Sequence, residues 1–162
     1  MSPFKVTMSE VVAKFSTSRE RVAILNGVLD LRADLRRMGI NGGFQWFDGS
    51  FLENVEKTRP GPPRDIDVVT FFHATVPAVP PDPAILARLQ NHAATKSHYH
   101  VDHYLVPLRD SSERLIEQSR YWFGLFSHQR GTAVWKGMLQ IDVMTETDDT
   151  AARQALAMLT FP

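Results

Sequence analysis

From residue 19 onward the apolar positions recur at three- and four-residue intervals. Val22, Leu25, Val28, Leu29, Leu35 and Met38 form one stripe, with Arg32, Asp34, Arg36 and Arg37 expected outside it. This period predicts a helix over about 19–38, opened by Thr17 and Glu20 at capping-box spacing and ended at Gly39. Residues 1–17 are mixed, with a short apolar-spaced piece around Val11, Val12 and Phe15. Beyond the helix, residues 43–47 predict a short strand that breaks at Gly49-Ser50. The segment 51–64 finishes in Thr58-Arg59-Pro60-Gly61-Pro62-Pro63-Arg64, which can continue neither a helix nor a central strand and is read as a loop. Residues 65–72 are β-branched and aromatic, a buried strand by composition. A second proline-rich connection (76–83) leads to a predicted helix over 83–94 and a strand over 99–106. Asp110 and Glu113 repeat the capping-box spacing before a helix that carries Leu115, Ile116, Tyr121, Trp122 and Phe126. A strand over 137–144 and an amphipathic helix over 150–159 complete the pattern. Helix, strand, strand, helix, strand, helix, strand, helix predicts an α/β (α+β) fold, a mixed β-sheet with helices packed against it.

Composition narrows the partners. A chain of 162 residues predicts one domain over 1–162. Lys+Arg and Asp+Glu balance at 18 each, so no bulk field recruits nucleic acid or an anionic membrane, and a polyanion must be bound locally by a pocket or a metal. The absence of cysteine excludes disulfides and thiolate-ligated zinc or iron–sulfur sites. No signal-peptide pattern and no apolar run of membrane-spanning length is present, and the expected location is cytoplasmic, with no membrane partner.

The sharpest local chemistry is Asp65-Ile66-Asp67-Val68-Val69. On a strand Asp65 and Asp67 project to one side, their Cα atoms roughly 6.5–7 Å apart, while Ile66 and Val68 project to the other. Two adjacent carboxylates at the edge of a core repel each other and are costly to desolvate. A hard divalent cation relieves both effects, and oxygen-only ligation suits Mg2+ or Mn2+. The same spacing also suits a solvent-facing pair on an amphipathic strand. Gly49-Ser50, where a strand breaks, offers backbone N–H groups and a hydroxyl as an anion cradle, or serves as an ordinary turn.

Gly49-Ser50, a spacer over 51–64, Asp65-x-Asp67 and then Asp102 within His100-Val101-Asp102-His103-Tyr104 together resemble the polymerase-β-like nucleotidyltransferase superfamily. The match covers a motif core of about 40–105 and leaves a helix–strand–helix extension over 110–162. With Tyr121-Trp122-Phe123-Gly124 and Lys136-Gly137 included, the chain also looks like small uncharacterised bacterial nucleotidyltransferase-like proteins. The resemblance implies a nucleotidyltransferase-like fold and a magnesium-dependent transferase. Its catalytic and metal-binding residues would be Asp65, Asp67 and Asp102, holding two ions (Mg2+ or Mn2+). It implies nucleotide binding by Gly49 and Ser50, with Arg59 and Arg64 as candidate phosphate clamps. The substrates implied are a nucleoside triphosphate and a protein or RNA acceptor, with a partner protein and a toxin–antitoxin or defence setting among the roles it allows. Asp48 before the glycine and His103 after Asp102 stand where the superfamily has apolar residues, which motivates an alternative: a catalytically silent module that binds nucleotide or protein.

Rival sites share the chain. His98-Tyr99-His100-Val101-Asp102-His103 fits the zinc signature of metallo-β-lactamase-fold hydrolases, and imidazole is a common zinc ligand. Alternation on a strand would also bring His98 or His100 to the Asp102 face. Asp142, between Ile141 and Val143, is a rival third carboxylate. Tyr121, Trp122 and Trp135 could stack on a base or sit in the core. Lys136 could reach a phosphate, and a solvated lysine is the plainer expectation.

Overall fold

The computed structural model describes residues 2–58, 61–77, 80–129, 131–132 and 134–161. The chain opens with a short strand, β1 (Phe4–Lys5), and a helix, α1 (Met8–Phe15), whose capping box is closed by Thr7 and Glu10. The long helix is α2 (Arg19–Arg37), capped by Ser18 in place of Thr17. Strand β2 (Ile40–Asp48) passes through Gly49 into a 3₁₀ turn, Ser50–Leu52, and a single helical turn, α3 (Val55–Thr58). Then come β3 (Ile66–Ala74), α4 (Pro83–Gln90), α5 (His92–Tyr99) and β4 (Val101–Pro107). Helix α6 (Ser112–Phe126), β5 (Leu139–Asp142) and α7 (Glu146–Ala157) follow.

The expected mixed α+β fold is present, and several boundaries differ for local reasons. α1 escapes the sequence pattern because eight residues carry only two helical turns. β2 extends back to Ile40 through two glycines because β3 pairs with it along its whole length, from Ile40 opposite Ala74 to Asp48 opposite Asp67. The helix expected over 83–94 is two helices. Asn91 ends α4 and its side chain accepts from the Ala94 N–H, which starts α5 in a new direction. Ser111, not Asp110, caps α6.

The sheet order is β1-β5-β2-β3-β4. The outer pairs β1–β5 and β3–β4 are parallel, and the inner pairs β5–β2 and β2–β3 are antiparallel. One face carries Phe47, Ile66, Val68, Val101 and Ile141 against apolar side chains of α1, α2 and α7 and against Tyr99 of α5. The other face carries Trp46, Val69 and Phe71 against Trp122 and Phe126 of α6. Several helices therefore cover one face, and α6 leaves part of the other open. Among the described residues, no helix is long and apolar enough to cross a membrane.

Arg32 and Asp34 correct the helical-stripe expectation: both are buried. Arg32 donates from Nε to both Asp149 oxygens at 2.9 Å, from Nη1 to Gln45 Oε1 at 2.5 Å and from Nη2 to the Asp142 carbonyl at 2.8 Å. A guanidinium with this many acceptors keeps its hydrogen bonds when it leaves water, so it can stand between α2, α7 and the sheet where a lone charge could not. Asp34 accepts from the Tyr99 hydroxyl at 2.6 Å and from Arg37 at 2.6 Å. The Tyr99 bond ties α5 to α2, and Gly27 permits the approach: a Cβ there would overlap the Tyr99 carbonyl oxygen. Gly27→Ala should therefore destabilise the fold by about 3 kcal/mol or more, because backbone rather than a flexible side chain must give way. Urea denaturation of the two proteins measures the difference.

Candidate functional site

β2 ends where β3 and β4 begin, and three aspartates meet there in register. Asp48 lies opposite Asp67, and Asp67 opposite Asp102. Alternation turns all three toward the α6 face, and neighbouring strands are about 4.8 Å apart, so their carboxylates stand in one row. Asp65, just ahead of β3, adds a fourth acid. All four line a cavity of about 670 Å3, closed on its far side by Trp122, Leu125 and Phe126 of α6.

Gly49 and Ser50 border the same cavity. Gly49 has φ 86°, and a Cβ on it would collide with the Asp67 carboxylate. Both conditions require glycine. The segment after the turn is held by Arg21, which donates to the Phe51 carbonyl at 2.6 Å, to the Glu53 carbonyl at 2.7 Å and to Glu56 at 2.6 and 2.9 Å. A buried arginine with four hydrogen bonds thus fixes the turn from the helical side.

Two lysines answer the row of acids. Lys96 of α5 places Nζ 2.8 Å from Asp65 Oδ2 and 3.1 Å from Asp102 Oδ2. Lys136 places Nζ 3.0 Å from Asp48 Oδ2 and 3.4 Å from Glu53 Oε1. Burial pushes Asp102 up, but the hydrogen bond and charge of Lys96, with help from Tyr104 and His92, outweigh it and hold the carboxyl below its ordinary value. His92 Nε2 lies 2.6 Å from Asp102 Oδ1. At Asp48 burial wins. Its carboxyl is pushed up to about 7 against the opposing pull of the Gly49 N–H and Lys136. Asp48 is 3% exposed, and its Oδ1 has no hydrogen-bond partner among the described residues.

Carboxylate oxygens at the edge of a core are the donors a hard divalent cation takes, and two buried ones, Asp48 Oδ1 and Asp102 Oδ1, have no hydrogen-bond partner among the described residues. As the side chains stand, no three acidic or histidine residues among those described close into a metal cage. Lys96 instead lies between two of the acids.

The structure thus brings Gly49, Ser50, Asp65, Asp67 and Asp102 together, and several other candidates apart. Asp142 pairs with Phe44, four residues up β2 from Asp48 and roughly 13 Å away along the strand, where it accepts from the Met144 N–H. Asp142 is therefore not the third acid of this row. Arg64 is exposed and outside the cavity lining, and Arg59 lies outside the described residues. The histidine string does not converge. His98 is on α5 and borders a separate depression with Asp34 and Arg37, and His100 is the exposed, left-handed cap of α5. His103 is buried on the opposite face of β4 from Asp102, 2.8 Å from Thr70 Oγ1. Neither the zinc arrangement nor a cavity-lining His98 or His100 survives, because α5 runs to Tyr99 and the strand starts only at Val101.

Lys136 is not a solvated lysine, since its side chain is 16% exposed within an ion pair. Trp122 is core at the cavity wall, whereas Tyr121 and Trp135 are exposed. Lys96 was missed outright. Its relation to Asp102 becomes visible only once Asn91 is recognised as a helix restart that carries position 96 back beside β4.

Gly49→Ala should move the Asp67 carboxylate and lower thermal stability, measurable as a fall in Tm, while Gly61→Ala, which shares the positive-φ strain but meets no described atom within 4 Å, should lower it less. His103 provides a pH test. Burial holds its imidazole down to about 3 from 6.5, with His92 adding to that and Asp102 opposing it. Its contribution to stability is complete above 6.5 and is lost as pH falls from there toward 3, because the unfolded chain takes up the proton first. Denaturant titrations at pH 7 and pH 5 should show a smaller drop for His103→Gln than for the wild type.

In comparisons with curated proteins and with solved structures, nothing matches this chain. Residues 2–142 match a family of unknown function, DUF6932. That span holds the acid row, the Gly49-Ser50 turn and all five strands, and the chain belongs to this family.

Proposed function

We propose that the chain is a nucleotidyltransferase of the polymerase-β-like kind, moving a nucleotide from a nucleoside triphosphate to a hydroxyl of a protein or RNA acceptor. The observation that carries this reading is the register of Asp67 and Asp102 on adjacent strands, with Asp65 beside them and Gly49-Ser50 on the same cavity. An oxygen-only set of this kind suits Mg2+ or Mn2+, held by Asp65, Asp67 and Asp102. When bound, such an ion draws charge from the phosphates and the leaving pyrophosphate.

The chain's own groups account for the rest. The Ser50 hydroxyl and the backbone at Gly49 border the cavity and are suited to hold the terminal phosphate. Lys136, fixed by Asp48 and Glu53, supplies positive charge at the same end. Asp102 is kept ionised by Lys96 and so is ready to orient an acceptor hydroxyl. In the transfer, the acceptor oxygen bonds to the α-phosphorus, the bond from that phosphorus to the bridging oxygen of the β-phosphate breaks, and the hydroxyl proton leaves to a carboxylate or solvent. Trp122, Leu125 and Phe126 narrow the space around the reacting groups and limit water.

A second reading, a silent nucleotide-binding module, is favoured by one observation: Lys96 bridges two of the three acids. Incubation with radiolabelled triphosphates, Mg2+ and cell extract separates the two readings. Transfer of label to protein or RNA, reduced at least ~100-fold by Asp67→Ala, is the expected result. Label incorporation that persists in Asp67→Ala would refute the proposed site. Nucleotide affinity that is unchanged when Mg2+ is chelated, without any transfer, would favour the module.

A further inference from the structure

Four polar side chains lie buried in a line on the covered face of the sheet, away from the cavity. Arg32 on α2, Gln45 on β2, Thr70 on β3 and His103 on β4 are each 8% exposed or less. Gln45, Thr70 and His103 share a face with Phe47, Val68 and Val101, each two residues away along its own strand. Every member meets the next. Arg32 Nη1 donates to Gln45 Oε1 at 2.5 Å, Gln45 Nε2 donates to Thr70 Oγ1 at 2.9 Å, and Thr70 Oγ1 lies 2.8 Å from His103 Nε2. Behind Arg32, Asp149 of α7 accepts from its Nε.

The first group gives the line a direction. A guanidinium has donors and no acceptor. Gln45 therefore turns its carbonyl to Arg32 and its amide N–H to Thr70. Thr70 Oγ1 is then already an acceptor, and its single hydrogen goes to the other side chain it meets, at His103 Nε2. The reverse bond, from an Nε2–H to Oγ1, would leave the hydrogen of a fully buried hydroxyl with neither of these two side chains to accept it, which is costly. An Nε2 that accepts carries no proton, so the proton of the ring is on Nδ1. Bonds that all point one way from a fixed charge strengthen one another.

The last bond of the line runs diagonally between strands. Thr70 pairs with Leu105 and His103 with Val68, so the bond joins residues two apart in register. A strand that slips by one residue turns every side chain to the opposite face. The apolar pattern of β4 resists this weakly, since Val101 and Val106 are buried on opposite faces while Tyr104 and Leu105 are exposed. β3 is apolar on both faces and would accept either setting. A hydroxyl at Thr70 distinguishes His103 from Val101 and Leu105, the residues that a slip of two would bring to it. Asp102 stands beside Asp67 only in the register observed.

We propose that this line of hydrogen bonds is the register lock of β4: the charge of Arg32 sets the direction of the bonds, His103 is held as the Nδ1–H tautomer, and Asp102 is thereby kept in the acid row. Gln45, Thr70 and His103 are positioning residues that do not line the cavity, and the lock is independent of what the cavity binds.

Nitrogen-15 NMR of the full chain labelled at histidine reads the tautomer, with the His103 signals identified by their loss in His103→Gln. In the wild type Nδ1 is expected protonated and Nε2 bare. Gln45→Glu puts an acceptor where the amide donated, so the Thr70 hydroxyl turns to the new carboxylate, the line reverses and the proton is expected on Nε2. A proton on Nε2 in the wild type, or one tautomer in both proteins, would overturn the direction assigned here. Should Gln45→Glu fail to fold, Thr70→Val removes the donor to Nε2, whose resonance must then move; an unmoved resonance is equally fatal. The lock itself is read by amide hydrogen exchange in Thr70→Val. The amides of β4 should exchange about tenfold faster, and those of β2 that bond to β5 less than about twofold faster. An equal increase in both strands would show a general contribution to stability and no lock.

Discussion

Carboxylates lined up across adjacent strands repel one another, and the surroundings of this site are arranged around that repulsion. Asp48, Asp67 and Asp102 share one register row, with Asp65 at its rim. Without positive charge, such a row would push the strand ends apart or force protons onto the acids. Lys96 and Lys136 come from opposite sides of the sheet order, one on a helix between β3 and β4 and the other just before β5. Each pins down a pair of acids, and Asp48, the most deeply buried, still has its carboxyl pushed up to about 7. The site therefore holds stored electrostatic tension that a cation or a phosphate-bearing ligand can shift.

The sheet's two faces divide the labour. Burying Phe47, Ile66, Val68 and Val101 under α1, α2, α5 and α7 makes one side a rigid platform. The other side has α6 packed over the distal part, on Trp46, Val69 and Phe71, and opens where the strands terminate. The antiparallel pairing of β2 with β3 and the parallel pairing of β3 with β4 are what put a strand end and two strand starts at one place. A turn residue, two acids and a third acid from distant parts of the chain then need no loop to reach one another. Asp142 lies on the same sheet between apolar neighbours in sequence, yet it stands at the other end of the strands, because it closes β5 whereas Asp67 opens β3, and both strands run antiparallel to β2.

How much of this could be read in the residues follows from what local pattern encodes. The α2 stripe and the β-branched run before Phe72 are periodic, and both elements form within a few residues of expectation. Asp65, Asp67 and the Gly49-Ser50 break were legible because alternation and turn chemistry act over a few residues. Asp102 needed a topology, and the expected one-strand step after β3 supplied it. Arg32 looked like surface because a single arginine on a polar stripe gives no sign that Asp149, in a different helix, will meet it. Lys96 was hidden by Asn91, whose ability to end one helix and start the next changes the direction of everything up to His100. The histidine string misled for the same reason: residues adjacent in sequence fell on a helix, a left-handed cap and the buried side of a strand.

The Arg32–Asp149 pair bears on where this protein can be cut. The region shared with its family stops at 142, and α7 begins at Glu146. Yet α7 supplies Asp149 to a guanidinium that is 2% exposed, and Asp148 to the first N–H groups of α1 at 2.6 and 3.3 Å. A chain shortened to the shared region would leave Arg32 without its carboxylate partner and the Met8 and Ser9 N–H groups without their acceptor. The family boundary and the folding boundary of this protein are therefore different places.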